Sequence, residues 1–247
     1  MRRLKLILTC LLFILGPCSA FPAWLYDGTD YVSVADGAAT TLPNGDWAIG
    51  GWIKLDTTSG WPNDYTVVSA GVDGGSEGEF TLGIDQDGGS STRVEMYIAD
   101  DFYGSEASLS STGDEFAGNT NPTHVLLQRS GSNFQFYIGG VASGTVAVGG
   151  IDELNFSTAL IFGPYYNEIG NWNALPGSLA SWAKWNRALT QAEITSLAQG
   201  FSPSCVPGSQ MLDIPMIGAY QERRSGLAVT NSGTTVGAHP RMYFCGE

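Results

Sequence analysis

Residues 23–34 open a pattern of short apolar–polar alternations separated by turn residues, which is what strands with one buried face look like in sequence. Further runs fall at 47–55, 65–70, 80–84, 93–98, 124–129, 134–138, 159–162 and 179–185, with two weaker strand candidates at 211–216 and 227–230. In 47–55, Trp47, Ile49 and Gly51 fall on one side and Ala48, Gly50 and Trp52 on the other, and Trp52 is expected in the core. The turn at 85–89 joins two runs into a hairpin, and the turn at 130–133 joins another pair. Polar, glycine-rich connections occupy 57–64, 73–78, 100–116 and 163–176.

One stretch changes period. Thr190 and Glu193 form a capping box, in which the Thr190 hydroxyl accepts from the backbone N–H of Glu193 and the Glu193 carboxylate reaches back to the N–H of Thr190. Ile194 and Leu197, three apart, share the face of a short helix over 190–199. Gly200 is its left-handed stop, with Phe201 placed to pack back beneath it. Short strands and a single helix predict an all-β, two-sheet antiparallel sandwich.

Composition adds a compartment. The start is basic, residues 6–15 are apolar but too few to span a bilayer, and Cys18, Ser19 and Ala20 are small enough for cleavage. Residues 1–20 read as a secretory signal peptide, which implies a secreted, extracellular or periplasmic protein. Losing Arg2, Arg3 and Lys5 moves the formal charge from −13 to −16. That charge repels nucleic acid and leaves carboxylates for calcium. Cys205 and Cys245 then remain in an oxidising compartment and are expected to pair, within one chain or between two, worth about 4 kcal/mol if the loop closes. Two cysteines and two distant histidines do not make a zinc site.

In order, Gly177, Leu179, Trp185, Asn186, Arg187, Ala188, Leu189, Thr190, Glu193, Ile194 and Leu197 resemble the closing strand and helix of laminin-G-like, concanavalin-A-type jelly rolls. Residues 30–34 resemble that family's first strand, and Trp52 resembles the tryptophan of its second. The Trp-His start of one strand and the turn Asp are missing: the chain has Pro122, Thr123, His124 and Val125, then Gly139, Gly140 and Val141. The tail, through 200–203, 233–235 and 239–241, is similar to a subset common in phage and environmental bacterial proteins. The resemblance implies a jelly-roll domain over 21–200, with 201–247 as an extension packed on it.

Chemistry is sparse. Laminarinase-like relatives carry Glu-x-Asp-x-Glu, whose period-two spacing sets nucleophile and acid on one face. No Glu here has an Asp two positions on, so no catalytic residue is assigned. His124 is expected to be structural and half-buried, and His239, before a proline, to sit in a turn. The acidic pair that often binds calcium in relatives is replaced by Ala180 and Ser181. Calcium therefore has no assigned site; Asp73 with Glu77 and Glu79, Asp85 with Asp87, and Asp100 with Asp101 are other acidic groups. No cofactor is required by the reading.

Loop aromatics carry the ligand assignment. Sugar rings pack C–H faces on aromatic rings, and asparagine both donates to and accepts from hydroxyls. Tyr165, Tyr166, Asn167, Asn171, Trp172 and Asn173, with Trp61, are the candidate contacts. The sequence thus predicts a secreted, non-catalytic recognition module that binds a glycan or a surface protein through rim loops. The alternatives are a structural or adhesive component of an assembly, and a glycan-active hydrolase.

Overall fold

A computed structural model describes residues 21–26, 30–56, 64–71, 78–85, 92–99, 105–116, 119–151, 154, 156, 158–163, 173–208, 210–215, 223–239 and 243. They form two antiparallel sheets packed face to face. In spatial order the first sheet holds β10 (Val141–Ala147), β9 (Asn133–Ile138), β8 (Thr123–Ser130), β3 (Trp47–Leu55), β13 (Gly177–Trp185), β1 (Phe21–Tyr26) and β16 (Thr235–His239). β14 (Gln210–Ile214) pairs with the second half of β13, beyond the stretch that pairs with β1. The second sheet runs β15 (Val229–Ser232), β2 (Tyr31–Val34), β11 (Leu160–Phe162), β4 (Tyr65–Gly71), β5 (Glu79–Asp85), β6 (Arg93–Ala99) and β7 (Glu106–Ser110). A two-residue β12 (Asn173–Ala174) lies parallel to β4.

Both hairpins and the strand at 47–55 stand where alternation predicts them. β7, β10 and β16 were not expected. His239 ends β16, paired with Phe21, so the turn assigned to it is corrected. Trp52 is also corrected: it is half-buried on the outer face of the first sheet, its ring 5.5 Å edge-on from His124, outside the inter-sheet core. His124 itself is fully buried.

The core lies between the sheets, around Trp47, Phe80, Phe134, Phe162 and Trp182. A second cluster sits on the outer face of the first sheet. There Ile194 and Leu197 of α1 (Gln191–Ala198) pack with Ala48, Leu126, Ala183, Trp185 and Leu189. Thr190 caps this helix through a complete capping box, and Gly200 at φ 93° stops it. Phe201 donates its N–H to the Ser196 carbonyl at 3.1 Å, and its ring, 37% exposed, leans on Tyr243 with ring centroids 5.4 Å apart.

Connections leave the sandwich at two opposite ends. At one, Leu55 faces Gly177 and Tyr65 faces Asn173, so the β3–β4 and β11–β12 connections spring from neighbouring strand positions. At the other, Val34 faces Leu160 and Val229, and Trp185 faces Ala48 and Gln210.

Candidate functional site

Tyr165, Tyr166, Asn167, Asn171, Trp172 and Trp61 lie outside the described residues, and Asn173 is placed by its backbone alone, at the start of β12. What the fold fixes is their anchorage. Trp61 belongs to the β3–β4 connection and the others to the β11–β12 connection, and these share one end of the sandwich. Cys245 also lies outside the described residues. Cys205 has its Sγ 3.8 Å from the carbonyl of Tyr243.

Among the described residues no three His, Cys, Asp or Glu side chains gather closely enough to hold a metal ion. Of the acidic groups noted in sequence, Glu79 and Asp85 are described, at opposite ends of β5. Ala180 and Ser181 sit where β13 carries a bulge against β3. Ser181 has φ 51°, the one non-glycine residue with positive φ among the described residues.

The opposite end holds a feature that the sequence reading passed over. A cleft of about 540 Å³ is lined by Asp36, Thr41, Phe156, Lys184, Asn186 and Met211, among others. Lys184 stands across from Ile49 of β3 and Leu212 of β14, both core residues. Directly paired residues share a face, so its side chain lies on the inter-sheet side. It is 1% exposed and makes no hydrogen bond or ion pair among the described residues. Burial strips water from the ammonium and pulls its pKa from the ordinary 10.5 down to about 8. The available signal was a lysine inside an otherwise apolar run, in a chain with only three lysines.

Beside the helix, Arg187 clamps Glu193. Its two terminal nitrogens donate to the two carboxylate oxygens at 2.7 and 2.9 Å, and one also donates to the Pro207 carbonyl at 2.8 Å. The guanidinium and the Thr190 donors hold the Glu193 carboxyl down at about 2. This pair ties the β13–α1 connection to the segment after α1 and is structural in character.

The fold is widely shared. A carbohydrate-binding assignment accompanies a similar protein from Bacteroides ovatus, with 16% identity and TM-score 0.68 over 92% of this chain. This chain spans 62% of that protein. A heptameric SAP-like pentraxin from Limulus polyphemus is similar at 16% identity and TM-score 0.59, over 89% of this chain and 96% of its own. The CBM40 of a Ruminococcus gnavus IT-sialidase, bound to α2,3-sialyllactose, matches at 12% identity and TM-score 0.53 over 70% of this chain and 96% of its own. At these identities the likeness is one of fold. No curated protein matches the chain. The Laminin_G_3 model, described as the Concanavalin A-like lectin/glucanases superfamily, matches residues 26–195, from the end of β1 into α1. The chain belongs to the laminin-G-like family of the Concanavalin A-like lectin/glucanases superfamily.

Proposed function

We propose that the protein is a secreted, non-catalytic recognition module that holds a glycan on loops at one end of its sandwich. The observation that supports this is the pairing of Asn173 with Tyr65 and of Gly177 with Leu55. It roots the connection bearing Trp61 beside the one bearing Tyr165, Tyr166, Asn167, Asn171 and Trp172. Aromatic rings and asparagine amides from two adjacent loops are what a sugar ring's apolar face and hydroxyl edge need. Family members bind sugars and also cleave them, so the family leaves catalysis open. The non-catalytic reading rests on chemistry: glycoside hydrolysis uses a carboxylate pair, and the chain lacks the Glu-x-Asp-x-Glu arrangement.

A glycan array probed with the purified protein tests the proposal, with and without a calcium chelator. Binding lost in Trp172→Ala and Trp61→Ala is expected, and loss on chelation would add calcium to the site. Binding unchanged by both substitutions overturns the loop assignment, and turnover of a soluble β-glucan overturns the non-catalytic one. A second reading, as a component of an assembly, is favoured by the exposed Phe201–Tyr243 pair, at 37% and 45% exposure. Light scattering that finds an oligomer dispersed by Tyr243→Ser would support it.

A further inference from the structure

We propose that the cleft around Lys184 is a second binding site, for a sugar residue carrying a carboxylate, with the Lys184 ammonium as its anion anchor. The site lies at the end of the sandwich opposite the loops discussed above, so it stands or falls separately from them.

Three observations carry it. First, Lys184 is set in the inter-sheet face between Ile49 and Leu212 and is 1% exposed, yet among the described residues no group pairs with it. A buried charge without a partner is costly, and proteins keep one where a ligand completes it. Second, its side chain lines a cleft of about 540 Å³, a volume that suits a small ligand. Third, the rest of the lining is of two kinds. Asp36, Thr41 and Asn186 offer hydrogen-bonding groups, while Phe156 and Met211 offer apolar surface. Asp36 forms no ion pair with Lys184. Its Oδ1 accepts from the Thr40 hydroxyl at 3.4 Å, and its remaining acceptor capacity suits a donor such as a sugar hydroxyl.

The same lining selects among anions. One ammonium opposite one carboxylate suits a monoanion that also bears hydroxyls. A phosphate dianion would leave one negative charge uncompensated by the single ammonium and facing Asp36, in a chain of formal charge −13, whereas a monoanion is neutralised. A uronic or comparable acidic sugar presents one carboxylate, several hydroxyls and a C–H face, which matches the ammonium, the polar trio and the apolar wall. An opposing ligand carboxylate would also offset the desolvation that depresses the lysine, because it favours the charged amine.

The test uses the purified chain labelled with 13C at lysine Cε. The chain has three lysines, Lys5, Lys54 and Lys184, so the Lys184 signal is assignable through Lys184→Met. Methyl β-glucuronide is titrated against methyl β-glucoside, which differs only in carrying a neutral hydroxymethyl group where the glucuronide has its carboxylate. The expected result is at least tenfold tighter binding of the glucuronide, with the Lys184 pKa rising on saturation. Lys184→Met, which keeps the stem and drops the charge, should remove that preference, while Trp172→Ala should leave it intact. Equal affinity for the two sugars, no binding of the glucuronide, or a preference that survives Lys184→Met would each overturn the proposal. Inorganic phosphate or an acidic peptide competing as well as the glucuronide would overturn the assignment to sugars. Because the two sugars are compared on the unsubstituted protein, the proposal stays testable even if Lys184→Met folds poorly.

Discussion

Glu193→Gln isolates the charge in the clasp that seats the helix. Gln keeps an oxygen for the Thr190 N–H, which donates to Glu193 Oε2 at 2.8 Å, but it loses the charged bidentate contact with Arg187 at 2.7 and 2.9 Å. The magnitude follows from linkage. Holding the carboxyl at about 2 instead of 4.5 corresponds to about 3 kcal/mol of preference for the ionised native state, at about 1.4 kcal/mol per pH unit. The pair is partly open to solvent, with side chains 28% and 19% exposed, so screening and side-chain entropy trim this to about 2 kcal/mol. A depressed carboxyl stabilises the fold fully above its unfolded pKa and loses that contribution as pH falls through its folded one. The gap between the unsubstituted protein and the variant should therefore be complete above about pH 4.5 and shrink towards pH 2, with roughly half gone by pH 3.5. Urea titrations at pH 7, 5 and 3.5 read this directly, and a melt at pH 7 should show a drop of about 4–8 °C. Arg187→Met should cost a similar amount, and the double variant little more than either alone. A loss below about 0.5 kcal/mol at pH 7, a gap that does not narrow with acid, or additive single effects would each refute the clasp as the reason the helix holds its place.

Other expectations follow from single contacts. A Cβ on Gly51 would sit 2.6 Å from the ring of Trp182, which is fully buried against Phe162, so Gly51→Ala should cost about 1–3 kcal/mol or more in urea midpoints. Burial holds His124 neutral down to about pH 3, well below its ordinary 6.5. Its contribution is intact above 6.5 and lost as pH falls from there, about 2 kcal/mol by pH 5, and imidazole 15N shifts that show a charged ring at pH 5 would contradict this. Cys205 and Cys245 are expected to be joined, so thiol titration of the folded, mature chain should find none free, and reduction should lower stability by up to about 4 kcal/mol; two reactive thiols in the native protein would end that idea.

What sequence could show here depended on how much each strand buries. β3, β5, β8 and β13 are buried along most of their length, so their apolar pattern is dense and their positions were readable. β7 and β10 end their sheets, and much of each is exposed. Val141 to Ala147 is a run of small residues interrupted by Gly144, with little apolar periodicity to detect. The helix was legible because its signals are local: a cap, two apolar residues three apart and a stopping glycine. The Arg187–Glu193 clamp was not, because Arg187 lies outside the helix and its approach depends on how the connection folds back.

Lys184 was hidden for a more particular reason, which links the clasp to the cleft. Strict alternation from Leu179 would put residues 181, 183 and 185 in the core and residue 184 in solvent. The structure does the reverse, with Leu179 and Trp182 in the inter-sheet core and Ala183 and Trp185 on the outer face under α1. The switch occurs where three steps of β13, from Ala180 to Ala183, oppose two of β3, from Trp52 to Gly50. Ser181, at φ 51°, is in that extra step, a bulge that flips the face of every residue after it. One inserted residue thus turns Trp185 outward to seat the helix and Lys184 inward to line the cleft. Gly51 opposite leaves the room that Trp182 takes. Deleting Ser181 would remove the extra step and leave Leu179, Trp182 and Lys184 alternating on the inter-sheet face, whereas deleting Ala183, beyond the bulge, would carry Lys184 to the helix side and drive Trp185 into the core. The chain lacking Ala183 should fail to fold, whereas Ser181→Gly, which relieves the positive φ and keeps the bulge, should be at least as stable as the unsubstituted protein in urea. Were the Ala183 deletion to fold with unchanged stability, the register beyond the bulge could not be what sets these faces, and the inward course of Lys184 would lose its cause.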